Sequence, residues 1–411
     1  MKKMLYYEIK KIFVKTSNRL ALLVLIIALC IVCYRAISGV EFVDENGKTE
    51  TGINAVQELK TAKKEWAGIL TEDKIAKVIR ENERINQTKE YQSENDQMNN
   101  IAYSWKQGFS DIRNLLILSY GNFREYDYYI PDSLSAEDAG EFYKNRTAHL
   151  REWLDTEAKE NYSEKEKEFL VQKYEKLKTP LNYDWTEGWK QLLENSSAIL
   201  MIMMLVLGFL VSNIFPGEFR LKADSIFYST YYGRNKAIAA KIQAGLLITT
   251  VIYWSAMFIF SVVILGSIGF EGGNIPIQTS RTGWKSFYNI SYFQEFIIVL
   301  IGGYIGTLFI MLLTMLISAK TKSVVFAVVV PFILIFIPSF LSGSGNFTIE
   351  KIIGLLPNQL LQMNVTISSF DLYQIGRNIF GASEILFVLY AGISIIICPL
   401  LYCIYRRIEE K

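Results

Sequence analysis

The sequence predicts an all-α, polytopic membrane protein with six transmembrane helices and a helical extracytoplasmic domain between helices 1 and 2. Apolar residues make up 51% of the 411 residues, and the mean hydropathy of +0.19 is high for a soluble chain. Six apolar runs approach or reach the roughly 20 helical residues that a bilayer core about 30 Å thick requires. Between the first two runs, residues 38–190 hold 22 basic and 30 acidic residues, although the whole chain carries a net charge of +2.

Residues 1–19 are predicted to form a cytoplasmic amphipathic helix along the membrane interface. The segment is rich in lysine, and helices of this kind bury an apolar face at the headgroup boundary while their basic face contacts the lipid surface. The apolar side chains recur at helical intervals, and they are Leu5, Ile9, Ile12 and Phe13.

Residues 20–37 are predicted to form transmembrane helix 1, which Arg35 interrupts. The long arginine side chain reaches the interface while its backbone stays in the membrane. A secretory signal peptide is the alternative interpretation of this run. An uncleaved helix is favoured, because the charged n-region of a signal peptide would extend to Arg19 and no small-x-small cleavage site follows.

Residues 38–190 are predicted to form the extracytoplasmic helical domain. Apolar residues such as Val56 and Leu59 recur there at helical intervals. All four cysteines of the chain lie in apolar runs outside this segment, so no disulfide is expected in it. Trp185 and Trp189 mark the return to the membrane, and an aromatic belt at the headgroup level is preferred over a ligand site for this pair.

The rest of the chain alternates apolar runs with basic loops. Residues 191–215 are predicted to form transmembrane helix 2, residues 216–241 a cytoplasmic loop, and residues 242–411 transmembrane helices 3 to 6. Lysine and arginine residues gather in alternate loops and at both ends of the chain, which predicts a multi-pass protein of the plasma membrane with both termini in the cytoplasm. Residues 352–361 are apolar but only half a span long, which is typical of a re-entrant segment on the outer side.

Catalytic and cofactor motifs are missing from the sequence. Gly47-Lys48-Thr49 matches the tail of a phosphate-binding loop, but the first glycine of that motif would fall on Phe42. No cofactor or metal site is predicted. No nucleic-acid contact is predicted either, because the basic residues cluster at the ends of apolar runs rather than in a basic patch on a folded domain. Glu295 and Glu384 lie only at outer edges of the last five runs, so no intramembrane ion relay is expected. Energy for uphill transport would then enter from outside the membrane region.

Two stretches of the later chain are informative about packing. In the longest cytoplasmic loop, Phe219, Ile226 and Phe227 form an apolar side amid charges, which predicts a short helix under the membrane that docks a partner, with a plain anchoring loop as the alternative. Gly302 and Gly306 form a GxxxG motif, which ordinary helix packing explains as well as a dimer seam does.

With these features in place, the chain resembles membrane subunits of ABC-2 type ABC transporters, particularly bacterial permeases with a large outer domain after the first helix. The resemblance covers nearly the whole chain. It depends on the basic amphipathic start, the Glu218 stretch that ends in Tyr232-Gly233-Arg234-Asn235-Lys236 before Lys241, and Leu355-Leu356-Pro357 before the last helix. The long outer domain departs from many members of the family.

The resemblance implies a permease subunit of an ATP-driven exporter that moves a peptide, lipid-like or drug-like substrate outward, including antimicrobial peptide export or self-protection. It implies a separate cytoplasmic ABC ATPase subunit, a second membrane subunit that is identical or related, and contact with membrane lipids. The implied ATPase-coupling residues are Glu218, Phe219, Phe227, Tyr228, Gly233 and Arg234, with the aromatic residues filling a cleft of the ATPase, and the implied outer gate segment contains Leu355, Leu356 and Pro357. The alternative function is a membrane sensor or scaffold whose outer domain binds a ligand without transport.

Overall fold

The computed structural model describes residues 2–341 and 347–407, apart from the side chains of Asp224, Ser225, Arg234 and Ser339. The α-helices, in chain order, are α1 Lys2–Val14, α2 Thr16–Ser38, α3 Ile53–Lys64, α4 Glu72–Asn86, α5 Asp96–Lys106, α6 Ser110–Tyr120, α7 Phe142–Asp155, α8 Glu164–Glu175, α9 Glu187–Ser212, α10 Pro216–Arg220, α11 Asp224–Ser229, α12 Ile238–Ile268, α13 Tyr292–Thr321, α14 Val324–Leu341, α15 Phe347–Ile353, α16 Met363–Thr366 and α17 Ala382–Arg406. The protein is mostly helical, as predicted.

Three small antiparallel sheets correct the all-α prediction. Each sheet has two strands, and the strands are β1 Glu41–Val43 with β2 Thr49–Thr51, β3 Gly68–Ile69 with β4 Asn182–Tyr183, and β5 Leu372–Ile375 with β6 Asn378–Gly381. The turn between β1 and β2 contains Gly47, which has a positive φ of 78°, and the Lys48 backbone N–H donates to the Asp44 carboxylate at 2.8 Å. The stretch that resembles a phosphate-binding loop is therefore a hairpin turn.

Five helices in the described part of the chain are long and apolar enough to cross a membrane. Four of them are α2, α9, α13 and α17, and the fifth runs from Asn235 through α12 to Ile268. The predicted membrane protein is confirmed at this level. The remaining predicted span coincides with α14, whose apolar helix over Val324–Pro338 is shorter than the other five, so a sixth span stays a prediction.

Helix α13 forms the centre of the bundle and packs against α9, α14 and α17. Its glycines make close approach possible. A Cβ atom on Gly302 would lie 2.7 Å from Cγ of Met363, and one on Gly306 would lie 3.0 Å from Cβ of Leu360. The GxxxG motif thus accommodates the segment that follows Pro357 in the same chain. This contact is packing within the chain, which was one of the two explanations that the sequence allowed for the motif.

The domain between α2 and α9 contains two apolar cores. One joins α4 and α6 to Phe142 and Trp284, and the other stacks Phe123 on Trp153 beside Phe370. Arg146 is buried and donates to the backbone carbonyls of Trp284 and Ser286 at 3.0 and 2.9 Å. Segments from after α12 and after α16 therefore complete this domain.

The predicted aromatic belt is wrong for Trp185 and Trp189, which are 1% and 7% exposed. The Trp185 indole N–H donates to the carbonyl of Ile268 at 3.0 Å, and the Trp189 indole N–H donates to the carbonyl of Phe270 at 3.1 Å. Because both donors find carbonyls at the outer end of α12, the rings are buried in protein rather than set among lipid headgroups.

A labelling experiment tests the predicted orientation, which places residues 38–190 outside the cell. In a variant whose four native cysteines are replaced by alanine, a cysteine at the exposed Ser135 should react with an impermeant thiol reagent in intact cells. A cysteine at the exposed Ser229, at the opposite end of the bundle, is the matched control and should react only after lysis. The reverse pattern would contradict the topology.

Candidate functional site

Four charged residues meet at the end of the bundle where α1, α10 and α12 come together, and we call them the inner charge cluster: Glu8, Lys11, Glu218 and Lys241. The Lys241 ammonium is 1% exposed and lies 2.8 Å from Glu218 Oε1 and 3.2 Å from Glu8 Oε2. It also donates to the backbone carbonyl of Ile214 at 2.9 Å. Lys11 completes the cluster at 2.9 Å from Glu8 and 3.3 Å from Glu218.

The inner charge cluster contains two carboxylates and two ammonium groups, so its charges balance. Burial alone would raise the pKa of Glu218, but the neighbouring Lys241 and Lys11 outweigh burial and lower that pKa. Glu218 therefore stays ionised, and the cluster links the start of α12 to the amphipathic helix α1. Glu218 is turned into the protein in this arrangement rather than toward an open surface.

The predicted coupling aromatics pack against the end of α17. The Tyr228 ring is 3% exposed and its hydroxyl donates to the carbonyl of Tyr405 at 3.1 Å. Phe227 and Phe219 lie 6.0 and 6.2 Å from the Tyr405 ring, measured between centroids. A Cβ atom on Gly233 would collide with the carbonyl oxygen of Phe227, so this position requires glycine. Contact of these residues with a partner stays a prediction, but their rings face Tyr405.

Three apolar side chains of the same loop are exposed. Leu221 is 75% exposed, Ile226 is 67% exposed and Tyr231 is 90% exposed. We call these three residues the exposed ridge. Ile226 was predicted to lie on the apolar side of the loop with Phe219 and Phe227, whereas Leu221 and Tyr231 were not singled out. A stretch so rich in aromatic residues does not reveal which side chains pack against α17. The side chain of Arg234, also a predicted coupling residue, lies outside the described part of the structure.

The predicted outer gate segment lies against α13 and α17. Pro357 opens a single 3-10 turn, Pro357–Leu361, that follows Leu355 and Leu356. The Tyr390 hydroxyl of α17 donates to the Leu355 carbonyl at 2.9 Å. The two leucines are half-buried and Pro357 is buried. The structure thus brings the three predicted residues together where the chain enters the helix bundle.

A second charge cluster joins the domain between α2 and α9 to α9 itself. Because the predicted topology places this domain outside the cell, we call the cluster the outer ion network: Lys63, Asp111, Glu187 and Lys190. Asp111 accepts from Lys63 and Lys190, each at 2.9 Å, and Lys63 lies 3.3 Å from Glu187. Burial alone would raise the pKa of Asp111, but the two lysines outweigh burial and lower it. Because α3, α6 and α9 each contribute to it, the network fixes the domain on the membrane helix. Helix α9 begins at Glu187, four residues before the predicted start, so both of its network residues lie on the helix.

Sequence reasoning missed the outer ion network. Its members are separated by up to 127 positions, from Lys63 to Lys190, and each resembles an ordinary surface charge when considered alone. The one available signal was that Glu187 and Lys190 lie so close in sequence to the apolar part of α9.

A water-accessible cleft opens beside the outer ion network, and we call it the outer cleft. Its main lobe has a volume of about 650 Å³, and a smaller lobe of about 180 Å³ continues toward Asn364 and Ser368 near the outer gate segment. Both lobes are lined by Lys190, Glu194, Ser280 and Thr282. Within residues 2–341 and 347–407, no three His, Cys, Asp or Glu side chains are grouped so that they could hold a metal ion.

Comparison of the chain with protein-family models, with curated proteins and with solved structures found no match. The features of the molecule that bear on its function are therefore the inner charge cluster, the exposed ridge and the outer cleft.

Replacing one acid of the outer ion network should loosen the joint between domain and membrane helices. We expect Asp111→Asn to destabilise the protein by about 3–5 kcal/mol near neutral pH, because two buried lysines lose their shared counter-charge. Thermal unfolding in detergent measures the change. Asp155→Asn, at an exposed site, is the control and should have little effect.

The pH dependence of that effect has a definite sign. The folded-state pKa of Asp111 is lowered, so its contribution is present above the unfolded value of about 3.9 and is lost as the pH falls below it. The difference between Asp111→Asn and wild type should therefore shrink in acid. A difference that grows below pH 4, or no difference at pH 7, would contradict the assignment.

Proposed function

We propose that this chain is the permease subunit of an ATP-driven ABC exporter of the ABC-2 type, which works with a separate cytoplasmic ATPase subunit. The observation that carries the proposal is the loop from α10 to α12, which is fixed through Glu218, Phe227 and Tyr228 and exposes the three apolar side chains of the exposed ridge. An energy-coupling partner needs a docking segment that is rigidly attached to the membrane helices, because force applied to a loose loop would not reach those helices.

The loop is held at both ends. The inner charge cluster fixes its first part through Glu218 and Lys241, and the Tyr405 ring of α17 holds Phe227 and Tyr228. Displacement of the exposed ridge would therefore displace α12 and α17 together. In this proposal Leu221, Ile226 and Tyr231 contact the ATPase, while Glu218, Phe219, Phe227, Tyr228 and Gly233 position them.

The membrane part supports a half-transporter. A set of five or six membrane helices forms one half of an ABC-2 type transporter, so a second membrane subunit, identical or related, would complete it. Both termini and the loop would then lie in the cytoplasm and the outer cleft outside, in a multi-pass protein of the plasma membrane. The substrate, a peptide or a lipid-like or drug-like molecule, would leave through the outer gate segment beside this cleft.

Membrane lipids fit a cavity of about 460 Å³ beside the inner charge cluster. Ile12, Leu210 and Ile214 give the cavity an apolar lining, and Lys10 and Lys15 lie at its edge. Apolar surface next to basic side chains suits an acyl chain with an anionic headgroup. The cavity therefore supports direct lipid contact at the amphipathic helix α1.

A membrane sensor without transport remains the second candidate function. The observation that favours it is the outer cleft, because the outer ion network connects this potential ligand site directly to α9. Both functions use the cleft, and only the exporter requires the exposed ridge. Stable co-purification with an ABC ATPase supports the exporter, whereas co-purification with a cytoplasmic kinase or regulator supports the sensor.

The exposed ridge provides a direct test of the exporter. Tyr231→Ala and Ile226→Ala should each weaken association with an ABC ATPase that co-purifies with this chain by about 2 kcal/mol, roughly 30-fold, as expected for buried apolar anchors of an interface. Binding of the purified ATPase to the full chain in nanodiscs measures the effect. Tyr129→Ala, at a 68% exposed tyrosine of the outer domain, is the matched control. Wild-type binding by both ridge variants would refute the docking surface.

The purified chain alone should not hydrolyse ATP. The nearest approach to a phosphate-binding loop, at Gly47, is a hairpin turn that leads into strand β2, whereas the lysine of a phosphate-binding loop leads directly into a helix N-terminus. Phosphate release assays on the chain without its partner measure this. Turnover that survives in a Lys48→Ala variant and scales with the amount of chain would show that hydrolysis occurs here by another route.

A further inference from the structure

The outer cleft contains a buried carboxyl group without a partner. Glu295 lies in the first turn of α13 and is 7% exposed. Within residues 2–341 and 347–407, no hydrogen bond or ion pair reaches its carboxyl group. Burying an unpaired carboxylate is costly, and ionisable groups inside membrane helices usually mark functional sites. The smaller lobe of the cleft is the space that Glu295 faces.

A second carboxyl group on the wall of the cleft is also unpaired. Glu194 is exposed, lies one turn after Lys190 on α9, and forms no ion pair with any described residue. It lines both lobes, so it connects the main lobe to the lobe of Glu295. Lys190 cannot neutralise either group fully, because its ammonium is already bonded to Asp111 in the outer ion network.

The charges lining the cleft do not balance. Five acidic residues face three basic residues across the two lobes: Glu41, Asp111, Glu187, Glu194 and Glu295 against Lys63, Lys190 and Arg281. Lys63 and Lys190 are engaged with Asp111 and Glu187. In the smaller lobe Lys190 is thus already bonded to Asp111, and the carboxyl groups of Glu194 and Glu295 have no bonded cation among the described residues. A cleft with walls of low dielectric strengthens the attraction of such groups for a cation.

The geometry favours an organic cation over a metal ion. A divalent cation such as Ca²⁺ takes six to eight oxygen ligands, and no three acidic side chains are grouped closely enough among the described residues to begin such a shell. A protonated amine has only three donors, which a carboxylate and neighbouring neutral oxygens can satisfy. Asn364 and Ser368 provide such oxygens on the wall of the smaller lobe.

We propose that the outer cleft binds an organic cation through a protonated amine, with Glu295 as the buried counter-charge and Glu194 as the accessible one. Binding follows from the cleft itself. The identification of this cation as exported cargo rests on the proposed function, and it names the substrate class as amine-bearing molecules, such as cationic peptides and cationic amphiphiles.

Fluorescence titration of the purified full chain in detergent micelles tests the proposal. The probe is dansylcadaverine, which carries a primary amine, and dansylamide carries the same fluorophore without a charge. We expect saturable binding of the amine only, and roughly tenfold weaker binding by Glu295→Gln, because a charge-assisted hydrogen bond is lost. Glu384→Gln is the matched control, since Glu384 also lies in the first turn of a membrane helix but is bonded by Tyr288. It should bind like wild type.

Glu194→Gln keeps the test decisive if Glu295→Gln fails to fold, because Glu194 is exposed and should tolerate the change. Wild-type affinity in every folded Gln variant, or equal binding of dansylamide, would overturn the amine site. The ATPase is absent from this assay, so the two proposals fail separately. Amine binding without any ATPase association would refute the exporter alone, and ATPase association without amine binding would refute this site alone.

Discussion

The buried ammonium group of Lys241 is the constraint on which the inner end of the bundle depends. A lysine that is 1% exposed at the start of an apolar helix must be paired, because an unpaired buried charge costs several kcal/mol. Glu218 and Glu8 pair with it and come from separate helices, α10 and α1. One buried cation thus decides where α1 lies on the bundle and how the chain turns after α9. The folded loop and its exposed ridge follow from that turn.

Close packing around α13 is the second constraint, and it positions the segment that follows Pro357. Gly302 and Gly306 leave room for Met363 and Leu360, so the segment after Pro357 can lie directly on the central helix. Gly303 likewise lets Tyr253 and Leu200 approach α13 from α12 and α9. Without side chains at these three positions, α13 contacts its neighbours through backbone and large apolar groups, the arrangement that drives helix association in membranes. The lining of the outer cleft is positioned by this packing.

The parts of the fold that depend on local periodicity could be predicted, and the parts that depend on distant pairs could not. A run of about 20 apolar residues identifies a membrane helix without tertiary information, which is why α2, predicted at residues 20–37, was found close to its predicted place and why α12, α13 and α17 lie within the predicted range 242–411. The pairing of Lys63 with Asp111 depends on how α3 meets α6, and no local pattern reports that. Trp185 was misplaced for the same reason, because its partner is a carbonyl at Ile268. The direction of Phe227 depends on Tyr405, 178 residues later.

Helix α9 is the element that joins the two ends of the molecule. Its 26 residues span about 39 Å at 1.5 Å per residue, with Glu187 and Lys190 in the outer ion network at one end. Just beyond its other end, the Ile214 carbonyl accepts from Lys241 and Phe215 packs on Tyr405 at 4.5 Å. The outer cleft and the exposed ridge are therefore attached to one continuous helix. A helix held by ion pairs at one end, and by a hydrogen bond and an aromatic contact just beyond the other, has little freedom to bend, so a shift at either end moves it as a unit. In the proposed exporter, loading of the cleft and docking on the ridge would therefore act on the same body, which is the physical requirement for coupling a binding site on one side of the membrane to a partner on the other.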